Sequence, residues 1–132
     1  MTPPTAALTV LIVEDEPLWQ QGLVQLLATD KRFAVVGIAD SYLKGLSAFV
    51  AHQPNVVLVD WKLIGEEDGL ALAYALMMRG VPSSHIILVS GSDKSLIPDN
   101  PFTHVPKAKM AQHLLPALQH LLPISAPIAG PS

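Results

Sequence analysis

Three short runs of apolar, largely β-branched residues frame this chain: Thr9 to Val13, Asn55 to Val59 and His85 to Val89, ending against Glu14, Asp60 and Ser90. Runs this apolar cannot leave one face to water, so each is predicted to be a strand buried on both sides. A weaker run, Phe33 to Ile38, is predicted to be another strand. Helical spacing fills the intervals. Trp19, Leu23, Leu26 and Leu27 share one face, Leu43, Leu46 and Val50 another, then come Gly69 to Met78 and a last helix near Met110 to Leu122. Strands alternating with helices require right-handed crossovers and a parallel sheet covered on both faces, which is a small doubly wound α/β fold. In such folds ligands sit beyond the carboxyl ends of the strands, where the strand order switches.

The chain has 132 residues, half of them hydrophobic and 14% charged, enough apolar material for one core. Both ends differ from the middle: residues 1–7 and the proline-rich 123–132 read as flexible tails around a domain spanning 8–122. The longest apolar stretch, Leu70 to Met78, is about half of a membrane span, and no basic region leads into an apolar N-terminal segment. A cytoplasmic protein without membrane attachment is expected. Lys and Arg number 8 and are scattered, with a formal net charge of −3, so no basic stripe faces a nucleic acid and direct nucleic-acid binding is not expected. The positive mean hydropathy makes self-association, such as a homodimer, a fair expectation. With no cysteine, and histidines at 52, 85, 104, 113 and 120 lacking ligand spacing, no zinc site is predicted.

The residues just past the strand ends carry the chemistry. Glu14, Asp15 and Glu16 follow the run that ends at Val13, Asp60 the run that ends at Val59 and Ser90 the run that ends at Val89, while Lys107 precedes the last helix. Carboxylates converging on one crevice repel each other, and a hard divalent cation such as Mg²⁺ is the usual remedy. A hydroxyl and an ammonium beside it suit phosphoryl oxygens, so phosphoryl transfer to or from a carboxylate is predicted, with Asp60 as nucleophile.

Five segments carry a resemblance: Val10 to Pro17 (VLIVEDEP), Pro54 to Asp60 (PNVVLVD), Asp68 to Leu70 (DGL), Ile86 to Gly91 (IILVSG) and Val105 to Lys107 (VPK). In this order and spacing they resemble the receiver domain of bacterial two-component response regulators, the CheY-like family. The resemblance implies a five-stranded, flavodoxin-like parallel sheet flanked by helices. It implies that Glu14 and Asp15 hold Mg²⁺, that Asp60 is the phosphoacceptor and a further ligand, and that Lys62 lends its backbone carbonyl to the metal. Ser90 resembles the hydroxyl residue that turns to the phosphoryl group, Lys107 the lysine that pairs with it, and His104 stands where the family has a switching aromatic. The implied donor is a histidine kinase or histidine phosphotransfer protein, and the readout a downstream protein that the sequence does not identify.

The sequence also departs from that pattern. Only 17 positions separate Ser90 from Lys107, about a helical turn fewer than the family spacing, and Pro98 and Pro101 lie between. The fourth of the family's five helices is therefore expected to be short or absent. Trp61 and Lys62 crowd the acceptor, Ala108 replaces a proline, and Pro116 is expected to kink the last helix or mark its first turn. Simpler readings exist: the acids at 14–16 as a solvated turn opening a helix, Ser90-Gly91 as turn chemistry, Lys107 as a surface charge. Two other functions compete. One is a receiver acting as a phosphorylation-independent binding module. The other is a small phosphatase or mutase with an aspartyl nucleophile, which would need a second acid where Lys62 stands.

Overall fold

The computed structural model describes residues 7–63, 68–91 and 98–122. Its elements follow in the order β1 (Leu8–Val13), α1 (Pro17–Ala28), β2 (Phe33–Ala39), α2 (Tyr42–His52), β3 (Val56–Asp60), α3 (Gly69–Met78), β4 (Ile86–Ser90), β5 (Thr103–Pro106) and α4 (Met110–Gln119). The strands form one parallel sheet in the order β2-β1-β3-β4-β5. Strand order reverses at β1, between β2 and β3, which opens a crevice beyond the carboxyl ends of β1 and β3.

Alternation along the strands sorts the core into two layers. Val10, Ile12, Leu58, Ile87, Val89 and Val105 meet Leu23 and Leu27 of α1 and Leu114 and Leu118 of α4 on one face. Leu11, Val13, Val57, Val59 and Leu88 meet Phe49 of α2 and Leu72, Ala73 and Leu76 of α3 on the other. A parallel sheet covered on both faces is what the continuous apolar runs require.

Local chemistry sets the boundaries. Ser41 caps α2 by accepting from the Lys44 N–H, and Gln53, in the left-handed region at φ 47°, ends it. Asp68 caps α3 by accepting from the Ala71 N–H at 2.9 Å. Asn55 does not enter β3. Its Oδ1 accepts from the Thr9 N–H at 2.8 Å and the Thr9 hydroxyl at 2.9 Å, and this clamp fixes where β1 and β3 begin.

The predicted strands stand, with Asp60 and Ser90 now the last residues of β3 and β4 rather than just past them. The predicted face of α2 does not. Leu43 and Val50 are 73% and 55% exposed, while Gly45 and Phe49 are buried. Gly45 decides this rotation: a Cβ there would stand 2.9 Å from Leu72 and 3.3 Å from Val13, so its missing side chain lets α2 lie close to β1 and α3. Pro116 lies in the interior of α4, on its exposed side, and not in its first turn. Between β4 and β5, residues 98–102 contain no helix, and the rest of the interval in which a short or absent helix is expected, 92–97, lies outside the described residues. The predicted tails do too, Ala7 and Leu122 being the first and last residues described. Among the described residues no helix is long and apolar enough to cross a membrane.

Candidate functional site

The crevice is assembled by backbone hydrogen bonds that run one residue beyond the strands. The Glu14 N–H donates to the Ala39 carbonyl at 2.9 Å, extending β1 along β2, and the Trp61 N–H donates to Val89 at 2.8 Å, extending β3 along β4. Glu14 and Asp60 are thereby carried on rigid backbone, 1% and 6% exposed. The Gln20 amide of α1 donates to the Glu14 carbonyl at 2.6 Å, pinning the turn from above. On the far side the Gly69 N–H donates to the Trp61 carbonyl at 2.9 Å, so the first residue of α3 sits on the Asp60 backbone. A Cβ on Gly69 would lie 1.9 Å from the Asp60 carbonyl oxygen, a space that admits only hydrogen.

Charge is concentrated at this point. Carboxylate oxygens of Glu14, Asp15 and Asp60 lie within 4.8 Å of one another. The Lys107 ammonium stands 3.1 Å from Glu14 Oε1, 3.5 Å from Asp60 Oδ2 and 3.6 Å from Glu16 Oε1. It also lies 4.9 Å from the centroid of the Trp19 ring. Two backbone donors help: the Lys62 N–H reaches Asp60 Oδ1 at 3.1 Å and the Glu16 N–H reaches Glu14 Oε2 at 3.0 Å. These do not fully offset burial. Burial pushes the Glu14 carboxyl up to about 7, the neighbouring Asp60 carboxylate adds to that rise, and the Glu16 N–H and Lys107 work against it. Burial likewise raises Asp60, opposed by its hydrogen bonds and by Lys107. For Lys107 burial disfavours the cation, yet the hydrogen bond to Glu14 and the charges of Asp60, Glu14 and Glu16 outweigh it and hold the ammonium protonated.

An open cleft of about 280 Å³, lined by Asp15, Glu16, Asp60, Trp61, Lys62, Gly91 and Lys107, leads to the acids. It has room for a small ion and a phosphoryl group. The donor set is wholly hard oxygen, and buried like charges that hold a proton against their ordinary preference are the arrangement a divalent cation relieves. The residues fit Mg²⁺.

The chain that builds this crevice, at the strand-order switch of a five-stranded parallel sheet, is matched over residues 10–101 by one family description, response regulator receiver domain. The chain belongs to that family. It is 33% identical over 88 residues to the probable transcriptional regulatory protein NarL of Mycobacterium tuberculosis, an alignment covering 67% of this chain and 40% of that protein. The nitrate/nitrite response regulator protein homolog of Haemophilus influenzae is 32% identical over 88 residues, 67% of this chain and 42% of that protein. The receiver thus matches about two fifths of these curated relatives. Among solved structures, the signal receiver domain of M. tuberculosis NarL superposes with a TM-score of 0.73 at 25% identity, covering 86% of this chain and 98% of that one. The receiver domain of Erythrobacter litoralis PhyR superposes with a TM-score of 0.78 over 98% of both chains, and at 20% identity this shows the fold alone.

The predicted site residues are partly gathered. Glu14, Asp15, Asp60 and Lys107 meet, and Ser90 lies buried at the end of β4, one residue past the partner of Asp60 in the sheet. Lys62 lines the cleft and offers its N–H to Asp60. His104 stands apart, in β5 opposite Leu88 and half-buried. For three residues, sequence reasoning does not foresee the contact each makes at the site. Glu16 is grouped with the strand-end acids, but its place in the acidic ring around Lys107 is not foreseen. Gly69 is read as the start of a helix, but its close packing on the Asp60 backbone is not foreseen. Trp19 reads only as part of a core face, and nothing in its spacing reveals the lysine arriving from β5.

Proposed function

We propose that this receiver accepts a phosphoryl group on Asp60 from phosphohistidine of a partner histidine kinase or histidine phosphotransfer protein. An Asp60 carboxylate oxygen attacks phosphorus as the P–N bond breaks. The imidazole nitrogen leaves with that electron pair, and aspartyl phosphate remains. The Lys62 N–H holds one Asp60 oxygen in place for the attack, and the Lys107 ammonium is within a short movement of the new phosphoryl oxygens. Ser90, at the end of the adjacent strand, offers them a hydroxyl. Glu14, Asp15, Asp60 and the Lys62 carbonyl would hold Mg²⁺, which when bound supplies the positive charge that phosphoryl oxygens require. Phosphorylation then adds about −1.5 to −2 charges beside Lys107 and favours a second packing of the domain, His104 in β5 taking part in the switch. The output passes to a downstream protein by contact in the cytoplasm, with a homodimer as one form of that contact. The reading itself needs no direct nucleic-acid or membrane contact and no turnover of a small-molecule substrate. The domain runs from 8 to 122, with residues 1–7 and 123–132 as tails.

The single observation that supports this reading most is the Lys107 ammonium lying within 3.5 Å of Asp60 Oδ2 inside an acidic crevice. The test is intact mass after incubation with acetyl phosphate and Mg²⁺. One added phosphoryl group is expected, absent from Asp60→Asn and from a metal-free control. No adduct under any condition would overturn the proposal in favour of a phosphorylation-independent binding module.

A further inference from the structure

We propose that Trp19 is a positioning residue for Lys107, its indole face holding the ammonium over the acidic crevice and so setting how fast Asp60 accepts a phosphoryl group. The ring centroid lies 4.9 Å from Nζ. Trp19 is the third residue of α1, two after Pro17, whose fixed φ anchors the first turn, and it packs partly buried against the core layer shared by α1 and α4. Its ring is therefore held by the fold and not by the lysine. The Lys107 side chain is only 11% exposed, so little water competes with the ring for its charge.

The need for such a hold follows from the acids around the ammonium. Glu14 and Asp60 are buried, but Glu16, at 3.6 Å, is 63% exposed and free to take up other rotamers. Asp60 and Glu14 must also release the lysine as their oxygens turn to a cation or a phosphoryl group. Unlike these three acids, the ring carries no formal charge and keeps its position whichever carboxylate is engaged. A leucine would exclude water equally well but offers no quadrupole, whereas phenylalanine retains the attraction in weaker form. That difference separates positioning by charge from simple packing.

The consequence for rate rests on the phosphoacceptor reading above; the contact itself does not, so the two can fail separately. In the full chain, the Lys107 Cε protons are expected upfield of the other lysines by the ring current of Trp19, an effect lost in Trp19→Leu and largely kept in Trp19→Phe. With acetyl phosphate and Mg²⁺, Trp19→Leu is expected to slow Asp60 phosphorylation, read by intact mass, by roughly two- to thirty-fold, with Trp19→Phe closer to the unsubstituted chain. In a Lys107→Met background the same Trp19→Leu change should have no further effect, because the partner is gone. Equal slowing by Leu and Phe, or undiminished slowing in the Lys107→Met background, would refute positioning by charge, as would Lys107 protons without an upfield shift. If the unsubstituted chain forms no adduct, phosphoacceptance falls and the proton shifts alone decide whether Trp19 holds the lysine.

Discussion

Replacing Gly69 by alanine is the sharpest test of how the site is built. The new Cβ would stand 1.9 Å from the Asp60 carbonyl oxygen, 2.7 Å from its carbonyl carbon and 2.9 Å from the Trp61 Cα. All three are backbone atoms of a central strand and its extension, so no side chain can swing aside. Reaching the 3.4 Å at which ordinary contact begins needs a separation of about 1.5 Å between the start of α3 and the end of β3. That movement breaks the 2.9 Å bond from the Gly69 N–H to Trp61. Overpacking costs about 1–3 kcal/mol and the lost bond about 1 kcal/mol, against a gain of up to about 1 kcal/mol from alanine's helix propensity. The net expectation is a loss of roughly 1–4 kcal/mol in urea unfolding, with the slope of the transition unchanged. Because the shift is delivered to the backbone of Asp60, the proposed phosphorylation by acetyl phosphate should also fall by about 100-fold in the folded fraction. Gly22 is the matched control. It lies within α1, where an added methyl group would meet nothing within 4 Å, so Gly22→Ala should stabilise by about 0.5–1 kcal/mol. Equal stability of Gly69→Ala and the unsubstituted chain would refute the claim that α3 rests on the end of β3.

Asp68→Ala removes the side-chain cap of α3 and should cost about 1 kcal/mol in a urea melt, with little change if asparagine is used instead. Pro116→Ala restores an N–H inside α4 on its exposed face and should raise stability by about 1–2 kcal/mol, read by the same melt. In metal-free protein, Glu14 holds its proton to about 7 when folded but only to the ordinary 4.5 when unfolded, so the folded state binds more protons in that window and stability should decline as pH rises through it. The raised Asp60 has the same sign, Glu14→Gln should flatten the decline, and a urea midpoint that instead climbs between about pH 5 and 8 would contradict the assignment. Mg²⁺ should raise the urea midpoint more at about pH 8 than at about pH 5, since its ligands must first lose that proton.

Much of the fold is legible because buried parallel strands have no choice of residue. Val10 to Val13, Val56 to Val59 and Ile86 to Val89 are apolar at every position, and the alternation with helices then dictates the topology. The strand-end rule leads straight to Glu14, Asp15, Asp60 and Ser90. The face of α2 is not legible, for a definite reason. Leu43, Leu46 and Val50 obey helical spacing as well as Tyr42, Gly45 and Phe49 do, and what chooses between them is the closeness to Val13 and Leu72 that Gly45 permits, a property of its neighbours and not of its own helix. The meeting of Lys107 with Trp19 and Glu16 is hidden in the same way. Spacing within α1 records that Trp19 is on an inward face, but a partner some ninety positions along the chain leaves no periodic trace.

The electrostatics of the crevice links these observations to the proposed switch. Three carboxyl groups, Glu14, Glu16 and Asp60, surround one ammonium, Asp15 lies beside Glu14 and Asp60, and the backbone N–H groups of Glu16 and Lys62 add only partial positive charge. Such a site is too negative to be indifferent to what enters it, and the raised carboxyl of Glu14 is the sign that a proton already serves as partial relief. On the proposed function a phosphoryl group would bring about −1.5 to −2 further charges, and its acceptance would call for a cation that offsets the added repulsion. Once there, its oxygens would compete with Glu14 and Glu16 for Lys107, the cation already positioned inside the crevice. Lys107 lies at the junction of β5 and α4, directly after Pro106 and three residues before the buried Met110. A change of partner for its ammonium is therefore felt first at the start of α4, and that helix end is where phosphorylation on Asp60 should alter backbone amide exchange before any more distant part of the sheet responds.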